Sequence, residues 1–180
     1  MGFKSLKKYL KPETLLILFL IVSSGYLRFR NLGYSDYIGD EFKAIVNLDE
    51  GQSLWNFLLL QRKGPMQFLV SYIPYIFTHN FENELAERIP FALASVSSVV
   101  VFYLLVKKLT KSITVSFFST FLFMVSGFIV GFGRIVQYQN LNLLFSLLCL
   151  YFYSDLISKQ KHLIRSTLMG TLFWCLSIYS

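Results

Sequence analysis

Ile89-Pro-Phe-Ala-Leu-Ala-Ser-Val-Ser-Ser-Val-Val-Val-Phe-Tyr-Leu-Leu-Val106, closed by Lys107-Lys108-Leu-Thr-Lys111, decides the fold. This uncharged run approaches the roughly 20 residues that cross a hydrocarbon core of about 30 Å. The lysines behind it are the flank that a span carries on its cytoplasmic side. Three similar runs follow, at 113–132, 141–157 and 163–179. One precedes it, spanning about 14–29 and introduced by Lys4, Lys7, Lys8 and Lys11. The composition agrees: 54% of the 180 residues are hydrophobic, 18% aromatic and 15% charged. Soluble domains carry about 25% charged residues, and a chain this apolar is not disordered. The expected fold class is all-α, a polytopic transmembrane helical bundle forming a single module over 1–180. Cys149 and Cys175 sit inside apolar runs, where they read as small apolar residues and not as a disulfide framework.

Charge orders the spans. Lys4, Lys7, Lys8, Lys11, Lys107, Lys108, Lys111, Lys159, Lys161 and Arg165 are opposed only by Glu13 and Asp155. The remaining basic residues (Arg28, Arg30, Lys43, Arg62, Lys63, Arg88 and Arg134) are outnumbered by eight acidic ones. The positive-inside rule puts the first group in the cytoplasm and the second outside. The net charge of +7 thus reads as topology, not as affinity for nucleic acid. The scheme requires that 65–78, which contains Pro74, does not cross. Its apolar part, about 13 residues at 1.5 Å each, is short of the core thickness, so an interfacial or re-entrant helix is expected. The amino terminus is then cytoplasmic, and 30–88 forms a long external loop. Uninterrupted Ser23-Ser24-Gly25 argues for a retained anchor over a cleaved signal. The last run ends at Ser180 without a polar flank, so we expect the amino-terminal piece of a longer protein, inactive in isolation. Frequent Phe, Ile, Lys and Asn suggest a bacterial inner (plasma) membrane.

The external segments hold the candidate chemistry. Asp40-Glu41 opens a helical pattern running through Ala44, Ile45 and Leu48 towards Gly51. Carboxylates at a helix start suit the macrodipole and serve as caps. A pair placed just beyond a span can also take a proton from a hydroxyl or hold a divalent cation. Arg62-Lys63-Gly64-Pro65 suits a turn that aims charge at an anion, or a juxtamembrane contact with membrane lipid. Arg88-Ile-Pro90 marks the outer start of the second span, with Pro in its first turn. There Arg88 serves as an interfacial anchor, a partner for Glu84 or Glu87, or an anion ligand. Gly133-Arg134 precedes Gln137-Tyr138-Gln139-Asn140 outside the next pair of spans, where Arg134 either clamps a phosphate or caps a helix. Tyr26, Tyr34, Tyr37, Trp55 and Tyr72 fit an interfacial belt.

Span, external Asp-Glu, Lys-x-Pro, amphipathic helix, Arg at a span start, basic turn and external Gly-Arg form an ordered set. It resembles the GT-C membrane glycosyltransferases, within them the protein O-mannosyltransferase and lipid A aminoarabinose transferase superfamily. The resemblance implies that Asp40 and Glu41 are catalytic, with Asp40 as base for the acceptor or as ligand of a divalent metal ion. It implies that Lys63, Arg88 and Arg134 bind the donor phosphate. Gly64 stands where some members have a second Pro. Many members place an Asp five residues beyond the second Arg; here Gln139 holds that position, in the vicinity of acceptor or metal. The expected function is the amino-terminal part of an inverting glycosyltransferase. It would move a sugar from a polyprenyl-phosphate donor to a hydroxyl acceptor, on protein, lipid or glycan, at the external face. The rival is a non-enzymatic transporter or lipid-carrier translocase. That reading calls for charges at mid-span, whereas Asp155 and Arg165, the charges nearest a span interior, lie close to its cytoplasmic end.

Overall fold

Asn83 starts the longest helix. Its side-chain oxygen accepts from the Ala86 N–H at 3.0 Å, which satisfies one of the donors that a helix start leaves open. Glu84 and Glu87 occupy the first turn and Lys107 and Lys108 the last, each on the end that the macrodipole favours. The helix runs 27 residues to Thr110 and stops where Lys111 turns left-handed at φ 59. It therefore begins before the expected 89, and Pro90 lies in its second turn, not its first. The expectation for Pro90 is corrected: Asn83 supplies the cap, and the helix accommodates the proline one turn inside.

The computed structural model describes residues 11–46, 51–61, 64–79, 81–157 and 163–180. In chain order these form α1 (Pro12–Phe29), a 3-10 turn (Gly39–Ala44), α2 (Leu54–Leu60), α3 (Met66–Thr78) and α4 (Glu84–Thr110). They continue with α5 (Ile113–Val125), α6 (Gly127–Phe132), α7 (Tyr138–Ile157) and α8 (Leu163–Ile178). No strand occurs among the described residues. The all-α expectation holds: α1, α4 and α7 are long and apolar enough to cross a membrane, and α5 and α8 are shorter apolar helices.

Two sequence boundaries differ. The run expected as one helix over 113–132 is two, because Ser126 turns extended at ψ 120 between α5 and α6. The helix expected from Asp40 towards Gly51 is a 3-10 turn that closes at Ala44, with Ile45 extended at ψ 146. Residues 65–78 do form a helix, α3, with Pro74 buried inside it. It packs against α4, α7 and the 3-10 turn.

Apolar side chains join these elements at three levels. Leu20, Val99, Tyr103 and Met124 lock α1, α4 and α5 together. Ala44, Phe91, Ala94, Val136 and Leu141 tie the 3-10 turn to α4, α7 and the stretch before it. Val46, Phe57, Leu58 and Phe68 seat α2 on α3. Between spans, lipid supplies no hydrophobic drive, so close packing of small residues does. Ser95, Ser98, Ser116, Thr120, Ser166 and Gly170 are accordingly buried. At the lysine end, Lys107 pairs with Glu13, to which Tyr103 also donates. There Lys108 meets Asp155 at 2.6 Å, and Asp155 accepts from Ser166 at 3.1 Å. These contacts clamp α1, α4, α7 and α8 at one end and leave the other for the site.

Candidate active site

The centre of the opposite end is one buried ion pair. Arg88, in the second turn of α4, and Glu41, in the 3-10 turn, are 2% and 0% exposed. The guanidinium meets the carboxylate side-on, Nε to Oε1 at 3.0 Å and Nη2 to Oε2 at 2.8 Å. Nη1 donates to the Leu32 and Ser35 carbonyls at 3.0 and 2.8 Å, and Nη2 to that of Asp36 at 2.9 Å. Glu41 accepts two further bonds, from the Ile38 N–H at 2.7 Å and the Val136 N–H at 2.8 Å. All five guanidinium donors are thereby used, and both carboxylate oxygens are doubly bonded. The pair welds residues 32–41 to α4 and to the stretch entering α7.

The sequence left Glu84 and Glu87 as partners for Arg88; the structure gives Glu41, 47 residues away. Glu87 adjoins Arg88 in the helix, and adjacent helix positions do not face one another. Glu87 is instead fully buried, with neither carboxylate oxygen hydrogen-bonded among the described residues. Arg88 was expected at a donor phosphate. In this geometry a phosphate reaches it only by displacing Glu41 or a backbone carbonyl.

Two clefts flank the welded segment. One, of about 510 Å³, is lined by Arg30, Asn31, Leu32, Tyr34, Ser35, Ile38, Arg88, Gly131, Arg134 and Ile135. Three arginines face it, and no carboxylate lies among its described lining residues. Arg134 donates from Nη1 to Leu27 O at 2.9 Å and from Nη2 to Asn31 O at 3.3 Å. These are carbonyls at the negative end of α1, where a cation is favoured. The second cleft, of about 530 Å³, has Tyr37, Phe42 and Phe81 walls and an Asp36, Glu82 and Glu84 rim. Tyr37 donates to Phe81 O at 2.5 Å. Burial, reinforced by Glu87 and Glu84, pushes its phenol above the ordinary range, so it remains a donor.

Asp40 lies in the same 3-10 turn as Glu41, but on its outer side. It is 55% exposed, and its carboxylate meets Lys43 Nζ at 2.7 Å. Lys63 lies outside the described residues. Gln139 falls elsewhere, in a groove of about 320 Å³ between α6 and α7 with Phe128, Phe132, Asn140 and Asn142. That lining shares no residue with the basic cleft. Among the described residues no three metal-ligating side chains gather. Glu41 is saturated, so a divalent ion at Asp40 would draw its other ligands from beyond them. Among the described residues the donors around Asp40 do not make up a metal site.

Sequence reasoning missed Arg28, which it grouped with the external charges. It folds back into the bundle at 0% exposure. There Nε donates to Ser95 Oγ at 2.7 Å and Nη1 to Ser24 O at 3.3 Å. The available signal was its place in the last turn of an apolar helix, one turn after Ser24.

A family model for dolichyl-phosphate-mannose-protein mannosyltransferase matches residues 63–180. No curated protein sequence and no solved structure matches the chain. The matched range takes in Arg88, Arg134 and Gln139, and leaves out α1 and the 3-10 turn that packs on them. An all-helical apolar bundle with this match, extending over about two thirds of the sequence, is a membrane glycosyltransferase by family: the chain belongs to the dolichyl-phosphate-mannose-protein mannosyltransferase family.

Proposed function

We propose that this chain takes part in transfer of a sugar from a polyprenyl-phosphate donor to a hydroxyl acceptor at the external membrane face. The observation that carries the reading is the carboxylate-free, arginine-lined cleft at the end of the bundle remote from the lysine clamp. Membership of a dolichyl-phosphate-mannose family supports a lipid-linked sugar phosphate as the ligand of that cleft. A lipid-borne sugar phosphate arrives at the bilayer surface, and a phosphate leaving group gains charge as its bond to the sugar breaks. Cations held in place before the reaction stabilise that charge. Arg134 is one, fixed by the end of α1.

In this reading Asp40 accepts the proton of the acceptor hydroxyl. The hydroxyl oxygen forms its bond to the anomeric carbon as the carbon–oxygen bond to phosphate breaks. Polyprenyl phosphate leaves with the electron pair, and the anomeric centre inverts. Arg88 and Glu41 hold the turn that carries Asp40. Lys63 remains a proposed contact of the donor phosphate and Gln139 of the acceptor. We place the protein in a bacterial plasma membrane with its amino terminus in the cytoplasm.

The test is turnover of labelled polyprenyl-phosphate mannose by full-length protein in proteoliposomes, followed as release of polyprenyl phosphate. Wild type is expected to release it. Asp40→Asn is expected to lower kcat by about 10²-fold or more, the range for loss of a general base, with donor binding unchanged. Failure of wild type to turn over mannose or any other lipid-phosphate sugar would overturn the reading. An unchanged kcat in Asp40→Asn would remove Asp40 from the chemistry.

A further inference from the structure

We propose that Arg30, which no expectation from sequence assigned, is the principal ligand of the carrier phosphate in the basic cleft, with Arg134 beside it. The proposal rests on the reading of that cleft as the donor site, and it follows from how the three arginines are engaged. Arg88 has no unspent N–H, and Glu41 cancels its charge at 2.8 Å. Arg134 spends one N–H of each terminal nitrogen on the carbonyls of Leu27 and Asn31. Arg30 is exposed and directly follows α1, so its head lies at the outer end of a membrane-length helix.

One bond and one ring orient it: Nη1 donates to the Tyr26 hydroxyl at 2.7 Å, and the guanidinium lies 5.5 Å from the Tyr26 ring centre. Tyr26 stands one turn earlier on the same helix, so the pair is local and preorganised. A planar guanidinium held by one of its hydrogen bonds and by a ring is suited to bidentate phosphate recognition. With Arg88 neutralised, Arg30 and Arg134 set the charge that the cleft offers, which suits an anionic phosphate ester at the headgroup level. Two sources share that chemistry, the polyprenyl carrier and ordinary anionic phospholipid, and inorganic phosphate is a third probe.

The experiment measures binding of a polyprenyl monophosphate to full-length protein in phosphatidylcholine nanodiscs. Parallel arms use phosphatidylglycerol discs and inorganic phosphate. Arg30→Gln is expected to weaken polyprenyl phosphate binding about tenfold or more, the scale of one charged hydrogen-bond pair. Arg30→Lys is expected to recover part of it, since it restores charge without the planar fork. Thermal unfolding of both variants is expected to match wild type, because Arg30 is exposed. Wild-type binding with undiminished affinity in Arg30→Gln would overturn the assignment of Arg30 and leave the donor-site reading standing. Equal Arg30 dependence for phosphatidylglycerol would make the cleft a headgroup site and overturn the proposal. Absence of wild-type binding to polyprenyl phosphate would overturn the donor-site reading itself.

Discussion

Arg88 and Glu41 are hydrogen-bonded to the backbone as well as to each other. Removing one partner of a buried ion pair costs about 3–5 kcal/mol, and replacing both by apolar residues often restores stability. Here the pair also satisfies the carbonyls of Leu32, Ser35 and Asp36 and the N–H groups of Ile38 and Val136. Each buried backbone group left open costs about 1–3 kcal/mol. Glu41→Leu and Arg88→Met are each expected to destabilise the detergent-solubilised protein by about 3–5 kcal/mol. The double variant is expected to be no more stable than either single one. Recovery of the wild-type melting point in the double variant would show that the charges matter only to each other. The importance of Arg88 was legible in the sequence because an arginine at a span start stands out. Its partner was not, since nothing local marks a carboxylate 47 residues away. Asp40 and Glu41 read alike in sequence, and only the 3-10 turn, which sends one inward and one outward, separates them.

Glycine does comparable work between elements. A Cβ on Gly133 would run into Ser95 Oγ on α4, and it would lie 2.9 Å from Ile129 O. The stretch between α6 and α7 therefore lies directly on α4, which is how Arg134 reaches α1 and Val136 reaches Glu41. Gly133→Val is expected to destabilise by about 1–3 kcal/mol, the usual cost of overpacking. It is also expected to weaken polyprenyl phosphate binding, because it moves Arg134. Melting curves with the nanodisc binding assay check both. Retained binding at reduced stability would mean that Arg134 adjusts independently of Gly133. Sequence pattern gave the long helices well, because an uncharged run of span length has few alternatives. It failed at 113–132, where the apolar run continues through Ser126 while the backbone does not. Hydropathy is blind to a backbone break inside an apolar run. It failed again at Asp40, where Ala44, Ile45 and Leu48 mimic a helical stripe but Ala44 is buried under α3 and α4.

At the scale of the whole molecule the site requires its two clefts and the lysine clamp to lie on opposite membrane faces. The clamp joins Glu13 to Lys107 and Asp155 to Lys108. The weld joins the stretch after α1, the start of α4 and the entry to α7. Because α1 and α4 are packed along one core of Leu20, Val99, Tyr103 and Met124, the clamp and the weld are held at opposite ends of these helices. The charge bias of the sequence predicts which is inside, and it predicts that α3 does not cross. Single cysteines at Asn31, Ser53, Asn83 and Thr110, in a background lacking Cys149 and Cys175, test this with a membrane-impermeant thiol reagent on intact cells. All four positions are exposed. Labelling is expected at Asn31, Ser53 and Asn83, with Thr110 reacting only after the membrane is opened. Protection of Asn83 together with labelling of Thr110 and Asn31 would mean that α3 crosses. Arg88 and Glu41 would then have to approach from opposite faces, which their 2.8 Å contact forbids, so that pattern would reject the arrangement as well as the topology.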